Sequence, residues 1–284
     1  MKNTYTIVLI CLVSLSLLSC ISHPTNSHVV PLSRAHAHND YRHNRPLHDA
    51  LAHGFTSVEA DIFLVDDDLY VAHDPHEIRP DGTLRSLYLD PLRKRIMQNG
   101  GRVYPNGPQF TLLIDIKSAA VPTYKTLDRI LAEYKDIFTC FGPDGRTDKA
   151  GLAVISGNRP RELMESQKLR YTAYDGRLQD LESDAPTDLI PLLSDNWIKH
   201  FTWKGTGAMP AQERRKLREI IQTAHRKGRR VRFWAVPDNP SPAREAVWRE
   251  LVSAGIDLIN TDDLEGLQKF LLANRVGNTA VQNY

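Results

Sequence analysis

Short apolar runs alternate with amphipathic helical patterns along most of this 284-residue chain. The predicted strands are Leu32–Ala37, Thr56–Phe63, Phe110–Ile116, Leu152–Ser156, Leu169–Thr172, Leu189–Leu193, Arg230–Val236 and Asp257–Asn260. The predicted helices are Leu47–His53, Tyr124–Tyr134, Arg159–Gln167, Pro210–Lys227, Pro242–Ala254 and Leu264–Ala273. Eight strands interleaved with helices over ~250 residues predict an α/β fold, a (β/α)8 TIM barrel in one domain.

Composition agrees with an ordinary globular protein. Hydrophobic residues make up 41% of the chain, and 36 Lys and Arg nearly balance 34 Asp and Glu. This weak net charge argues against nucleic acid as a partner. Because no linker or internal repeat divides the chain, we expect one barrel domain at residues 31–275 and a tail at 276–284.

The first twenty residues resemble a bacterial lipoprotein signal. An apolar run at 7–18 is too short to span a membrane, and Leu17-Leu18-Ser19-Cys20 resembles a lipobox. We expect a signal peptide at 1–19, lipid on Cys20 and a tether at 20–30; a plain signal peptide cut nearby is the alternative. The lipid anchor would be the membrane contact and would place the protein in a bacterial cell envelope.

Polar residues recur at the C-terminal ends of four predicted strands, where barrel enzymes place their sites. Each strand carries a pair two positions apart, on one face: His36 and His38, Glu59 and Asp61, Asp115 and Lys117, Arg232 and Trp234. Carboxylates held side by side in a barrel mouth repel each other and require a cation. The pattern therefore predicts a site at this end of the barrel.

Four motifs within residues 34–117 resemble the phosphatidylinositol-phospholipase-C-like phosphodiesterase superfamily, which includes the glycerophosphodiester phosphodiesterases. They are His38-Asn39-Asp40-Tyr41, Glu59-Ala60-Asp61, Ala72-His73-Asp74 and Asp115-Ile116-Lys117. The segment 38–74 looks closest to the branch that includes the altered-inheritance-of-mitochondria protein 6 group. The likeness is thinner after residue 117, where Phe233-Trp234 and Thr261-Asp262 resemble signatures of the last two strands.

The resemblance implies that His38 and His73 are the general base and general acid. His36 stays an alternative to His38, because both residues point the same way from the first strand. Asp40 or Asp74 could orient a histidine, although Asp74 could equally cap the following turn.

The resemblance also implies a metal site. Glu59, Asp61 and Asp115 would hold a divalent cation, with the amide oxygen of Asn39 as a fourth ligand. An all-oxygen set favours Mg²⁺ or Ca²⁺ over Zn²⁺.

For the substrate, Lys117 would neutralise a phosphate oxygen, while Trp234 and Arg232 would contribute to the binding pocket. Asp262 is either a site residue or the N-cap of the last helix. The substrate is expected to be a small phosphodiester or a phospholipid head group: a glycerophosphodiester, a phosphoinositide or a related diester. A substrate hydroxyl would attack first and give a cyclic phosphate. Asn39 stands where glycerophosphodiester phosphodiesterases usually carry arginine, which puts glycerophosphodiesters in question.

Two other functions remain open. An H-x-H motif after the first strand also begins amidohydrolase and polymerase-and-histidinol-phosphatase barrels, but those sites need further histidines from later strands, and the predicted strands four to eight contain none. A non-catalytic lipoprotein that binds an anionic ligand is the second alternative. Loss of a catalytic histidine or a metal carboxylate would mark it, and none of that set is missing here.

Overall fold

A computed structural model describes residues 29–279, with side chains described through residue 274. The strands are β1 (Leu32–Ala37), β2 (Phe55–Val65), β3 (Asp68–Val71), β4 (Phe110–Ile116), β5 (Cys140–Gly142), β6 (Gly145–Thr147), β7 (Gly151–Gly157), β8 (Thr172–Gly176), β9 (Leu192–Asn196), β10 (Arg230–Trp234) and β11 (Leu258–Thr261). All but β3, β5 and β6 pair in parallel, and β1 closes the barrel by pairing with both β2 and β11. The predicted fold class is confirmed.

Helices follow most barrel strands and cover the outside of the barrel. They are α1 (His48–Ala52), α2 (Asp90–Gln98), α3 (Ala120–Ala132), α4 (Arg161–Ser166), α5 (Trp197–His200), α6 (Ala211–Arg226), α7 (Pro242–Ala254) and α8 (Leu264–Thr279). Only a single 3-10 turn, Leu178–Asp180, lies between β8 and β9. Among the described residues, none of the helices combines the length and apolar character needed to span a membrane.

Local signals explain why α7 has the bounds that its sequence predicts. The Ser241 hydroxyl accepts a hydrogen bond from the backbone N–H of Arg244, and Pro242 occupies the first helical turn. Gly255 ends the helix at φ +89°, a backbone conformation that side chains other than glycine rarely adopt.

Alternation along the strands separates two apolar regions. Outward residues of β2, such as Val58 and Ile62, join the large core beneath the helices. Inward residues form a second cluster that fills the barrel: Leu113, Phe141, Leu152, Val154, Ala173, Leu192 and Leu258. The polar residues predicted to face inward therefore lie above an apolar barrel interior, towards the C-terminal ends of the strands.

Several boundaries differ from the sequence predictions. The fifth barrel strand, β8, begins where the predicted strand ends, because Arg170 instead pairs with Phe141 of the β5–β6 hairpin. The sixth, β9, lies three residues beyond its predicted position. Neither α2 nor strand β3 was predicted, and α8 extends past Ala273 into the predicted tail.

We expect Trp248→Ala to lower the free energy of unfolding by about 3–5 kcal/mol, because it removes a large buried side chain. The indole is fully buried, stacks under the Arg244 guanidinium at 4.3 Å and lies 5.2 Å from the Phe270 ring centroid. Urea denaturation measures the change. Ile198→Ala, at an exposed side chain, is the control and should change stability by about 0.5 kcal/mol or less. An equal loss in both variants would contradict the packing argument.

Candidate active site

Three carboxylates meet at the C-terminal end of the barrel. Glu59 and Asp61 point inward from β2, and Asp115 lies beside Asp61 in the register with β4. Ligand oxygens of Glu59, Asp61 and Asp115 all lie within 4.8 Å of one another. The alternation of inward and outward residues along the strands therefore predicted the positions of these side chains correctly.

Two cationic side chains lie close enough to offset this negative charge. The Lys117 ammonium lies 3.1 Å from Asp61 Oδ2 and 3.2 Å from Asp115 Oδ1. Burial, reinforced by the charges of Asp61 and Glu59 and opposed by Lys117, raises the pKa of Asp115 to about 6. Three carboxylates against Lys117 and Arg232 leave one negative charge when all are ionised, so the cluster still favours a further cation.

Arg232 lies within the barrel and is only 4% exposed. Its guanidinium donates to Glu59 Oε2 at 2.7 Å and contacts the ring of His36. Although burial opposes ionisation of Glu59, the charge of Arg232 and the hydrogen bond with His36 hold its pKa well below the usual range. This placement corrects the prediction for Arg232: its side chain positions Glu59 and does not open into the mouth towards a phosphate.

His36 is likewise removed from the mouth. It is fully buried, with Nδ1 2.7 Å from the Ser57 hydroxyl and Nε2 3.3 Å from Glu59 Oε2. Burial and the Arg232 charge lower the pKa of His36 to about 3, so the ring is neutral near pH 7. Of the two candidate histidines, His36 in β1 is thus buried away from the mouth, whereas His38, which follows β1, is partly exposed there.

A short hairpin brings His73 to the carboxylates. β2 and β3 pair in antiparallel fashion, with Ile62 opposite Val71, so the chain returns beside the end of β2. His73 Nδ1 lies 3.0 Å from Asp61 Oδ2, although twelve residues separate the two in sequence. The hairpin therefore explains the spacing of the two motifs.

His38 is oriented by the last barrel strand. Its Nδ1 lies 2.8 Å from Asp262 Oδ1, and the backbone N–H of Asp262 donates to Asp238. Burial opposes protonation, but the hydrogen bond to Asp262 and the nearby Glu59 raise the pKa of His38 above its ordinary value. The N-cap of α8 is Asp263, which accepts the N–H of Gly266 at 2.9 Å. Asp262 is thus a site residue.

Tyr41 is the residue that the sequence reasoning missed, although it stands in the first motif. Its hydroxyl lies 2.7 Å from Asn39 Oδ1, 2.7 Å from Asp61 Oδ2 and 3.2 Å from His73 Nδ1. The amide nitrogen of Asn39 in turn lies 2.9 Å from His38 Nδ1. Close polar contacts through Asn39 and Tyr41 therefore connect the surroundings of the two histidines.

Neither aspartate proposed to orient a histidine does so. Asp40 is buried and accepts hydrogen bonds from the backbone of Leu47 and the hydroxyl of Tyr88, so it fixes the loop after β1. Burial raises the pKa of Asp40 to about 7. Asp74 is exposed and precedes a 3-10 turn at Pro75–Glu77.

Trp234 ends β10 and is half-buried. In the register of the sheet it lies beside Asn196 of β9, across the mouth from β4. This is a place from which it could contact a substrate, and its role stays a prediction.

The carboxylate cluster fits a hard divalent cation. All three side chains offer oxygen, the donor that Mg²⁺ and Ca²⁺ prefer. Asp61 Oδ1 is buried without a hydrogen-bond partner, a costly state that a cation would relieve. The Asn39 oxygen, which accepts from Tyr41, lies on the same side of the cluster, next to Asp61.

A family model for the AIM6-like phosphodiesterase domain matches residues 24–175, more than half of the chain. The chain belongs to this family. A model of the glycerophosphoryl diester phosphodiesterase family also matches residues 230–265. Both findings confirm the resemblance deduced from the motifs.

Individual relatives agree with the family assignment. Altered inheritance of mitochondria protein 6 of Eremothecium gossypii is 30% identical over 84% of this chain and 69% of that protein. A homologue in Arthroderma benhamiae is 28% identical over 85% and 84%. A glycerophosphoryl diester phosphodiesterase structure from Parabacteroides distasonis, 13% identical, has a TM-score of 0.50 over 89% of this chain and 88% of its own, which supports the barrel fold.

The predicted bacterial cell-envelope location is wrong. The relatives are fungal proteins whose name refers to the inheritance of mitochondria. The predicted signal peptide at 1–19, the predicted lipidation of Cys20 and most of the predicted tether at 20–30 lie outside the described residues.

Gly157 leaves room for the Asp115 side chain. We therefore expect Gly157→Ala to weaken binding of Mg²⁺ or Ca²⁺ by at least about ten-fold, because one charged contact with the cation would be lost. A Cβ at this position would stand 2.1 Å from Asp115 Oδ1 and 2.5 Å from the Ile116 carbonyl. Isothermal titration calorimetry measures the change. Gly207→Ala is a matched control, because Gly207 has φ +67° against +66° for Gly157 but no atom within 4 Å of the added Cβ. Equal metal affinity in wild type and Gly157→Ala would contradict the steric role.

Proposed function

We propose that this phosphodiesterase hydrolyses a phosphodiester with His38 and His73 as general base and general acid and with a divalent cation at Glu59, Asp61 and Asp115. One observation supports it most. Each histidine has an aspartate at Nδ1, Asp262 for His38 and Asp61 for His73. Among the described residues neither ring makes a hydrogen bond through Nε2, which leaves that nitrogen for substrate.

The two histidines divide the proton transfers. His38 takes the proton of the attacking hydroxyl through Nε2, and the Asp262 carboxylate stabilises the imidazolium that forms. His73, protonated beside Asp61, gives a proton to the departing alkoxide oxygen. The proton count balances over the step, because one ring gains what the other loses.

Charge on the phosphoryl group needs separate stabilisation. A bound Mg²⁺ or Ca²⁺ would supply Lewis-acid stabilisation of the phosphoryl oxygens. Lys117 adds an ammonium at the rim of the same cluster and is the closest lysine to it. Arg232, which lies deeper in the barrel than the cluster, keeps Glu59 ionised and in place.

We infer further that the substrate is a phospholipid-derived diester: a glycerophosphodiester, a phosphoinositide or a related head group. When the substrate carries a neighbouring hydroxyl, that hydroxyl is the nucleophile and the first product is a cyclic phosphate. This inference rests on family resemblance; Asn39, where glycerophosphodiester phosphodiesterases usually carry arginine, weighs against a glycerophosphodiester within that group.

The geometry disfavours the amidohydrolase-type alternative. Such a site requires histidine ligands, whereas His36 is buried below the carboxylates and bonded to Ser57. Within the described residues, the cluster at the barrel mouth that could hold a metal consists of carboxylates alone.

The deciding experiment measures hydrolysis of bis(p-nitrophenyl) phosphate and a panel of glycerophosphodiesters and phospholipids, with EDTA or with added Mg²⁺ or Ca²⁺. We expect metal-dependent turnover that falls by about 10²–10⁴-fold in His38→Ala and His73→Ala, the usual contribution of general acid–base catalysis. Both variants should bind metal as the wild type does. In Glu59→Gln and Asp115→Asn activity should return at high metal concentration. Metal binding without turnover of any diester would instead favour a ligand-binding role.

Asp262→Asn tests the orientation of His38. The amide cannot stabilise the charged ring, so we expect kcat to fall by about 10²–10⁴-fold, as in other histidine–aspartate pairs. KM and metal affinity should stay unchanged. In a His38→Ala background, Asp262→Asn should have no additional effect, because the residue acts through the ring. An additive loss in the double variant would refute the pairing.

A further inference from the structure

A second cavity opens at the opposite end of the barrel. It has a volume of about 750 Å³, within the range of small-molecule sites. Its lining comes from the starts of seven of the eight barrel strands, for example Arg34 of β1, Thr56 of β2, Leu152 of β7 and Arg230 of β10. Arg34 and His38 are four residues apart on one strand and its end, so roughly 13 Å separates this cavity from the mouth.

Arg230 is the unusual residue of this cavity. Its side chain points into the barrel floor, and its one hydrogen bond among the described residues runs from Nη2 to the Thr111 hydroxyl at 3.1 Å. A guanidinium has five N–H donors, and among the described residues no carboxylate lies within ion-pair distance of this one; Asp257 interacts with it only at longer range. Its other N–H groups are not among the buried polar atoms that lack a hydrogen-bond partner. They are therefore accessible from the cavity.

Arg34 adds a second cation, an exposed one, for which the described part of the chain provides no ion pair. Its Nε donates to the carbonyl of Ile256 at 3.1 Å, and the rest of the guanidinium lines the cavity. Other buried arginines of the described chain have carbonyl or carboxylate partners, although the Nε of Arg229 and that of Arg244 have none. Arg229, for instance, donates to four backbone carbonyls, and Arg244 pairs with Asp263 at 2.8 Å.

The remaining charges of the cavity are already paired. Asp257 Oδ2 accepts from His225 Nε2 and from the backbone N–H of Val231, each at 2.8 Å. Arg146 is held by Asp148 at 2.7 Å and lies 3.7 Å from Asp188. Arg230, half-buried at the floor of the barrel, and Arg34, exposed at the edge of the cavity, therefore remain as two cations without an ion pair among the described residues, although Asp257 interacts with Arg230 at longer range. The unpaired charge of the half-buried Arg230 is the costly one.

We propose that the N-terminal cavity of the barrel is an anion site that binds a phosphate-class oxyanion through Arg230 and Arg34. Guanidinium groups bind carboxylate and phosphate oxygens alike in a bidentate manner, and two of them favour phosphate because it carries more oxygens and more negative charge near pH 7 than acetate or chloride. The ligand is either free inorganic phosphate or the phosphate group of a phosphomonoester. This site is independent of the carboxylate cluster and of the reaction proposed there.

Titration calorimetry on the EDTA-treated full chain tests the site, with inorganic phosphate, glycerol 3-phosphate, acetate and chloride as separate titrants. We expect phosphate to bind and chloride and acetate to bind at least about ten-fold more weakly. The phosphomonoester arm distinguishes the two ligand sources: tighter binding of glycerol 3-phosphate than of phosphate indicates an organic ligand.

Variants locate the binding. Arg230→Gln should weaken phosphate binding at least about ten-fold, and Arg230→Lys should restore it only in part, because the forked geometry is lost. Arg249→Gln makes the same charge change on the exposed face of α7 and should leave affinity unchanged. Lys117→Met removes the phosphate contact proposed at the barrel mouth and should leave unchanged the binding that Arg230→Gln weakens. If Lys117→Met abolishes binding and Arg230→Gln does not, or if all anions bind alike, the proposal is wrong. Circular dichroism checks that each variant is folded.

Discussion

Repulsion among Glu59, Asp61 and Asp115 is the constraint around which the mouth of this barrel is organised. Three carboxylates within 4.8 Å of one another cannot all stay ionised in a partly buried site without nearby cations. Lys117 approaches two of them, Arg232 supports the third from below, and Tyr41 donates to Asp61 from the side. His73 bonds to the same Asp61, so one carboxylate ties the acid–base group to the charged cluster.

The alternation of side chains between the two faces of each strand made much of this arrangement predictable. In a parallel barrel the apolar residues of a strand turn towards the helices, so Glu59, Asp61 and Asp115 had to turn inward. The predicted bounds of α7 agree with the structure to the residue, because Pro242 and Gly255 mark where the helix starts and stops. Strand boundaries were predicted wrongly where polar residues occur within a strand, as at Asp175 of β8. An inward aspartate interrupts the apolar run on which strand prediction depends.

Contacts between distant segments could not be predicted in the same way. Asp262 reaches His38 across 224 positions, and only closure of β1 against β11 brings them together. Arg232 shares a face with Trp234 in the strand pattern, but sequence does not reveal which of the two lies deep and which lies at the rim. Tyr41 was passed over because a tyrosine in a loop carries no periodic signal, and its role depends on the left-handed turn at Asn39.

The position of Lys117 has a consequence for how the protein handles metal. Its ammonium stands beside the same oxygens that a divalent ion would bind, so the metal-free chain contains its own counter-ion and its binding pocket needs little rearrangement to remain folded. An incoming ion must displace or push aside this side chain, and part of its attraction to the carboxylates is offset by that loss. A cation bound at the proposed site would therefore be held less tightly than one in a cluster of carboxylates alone.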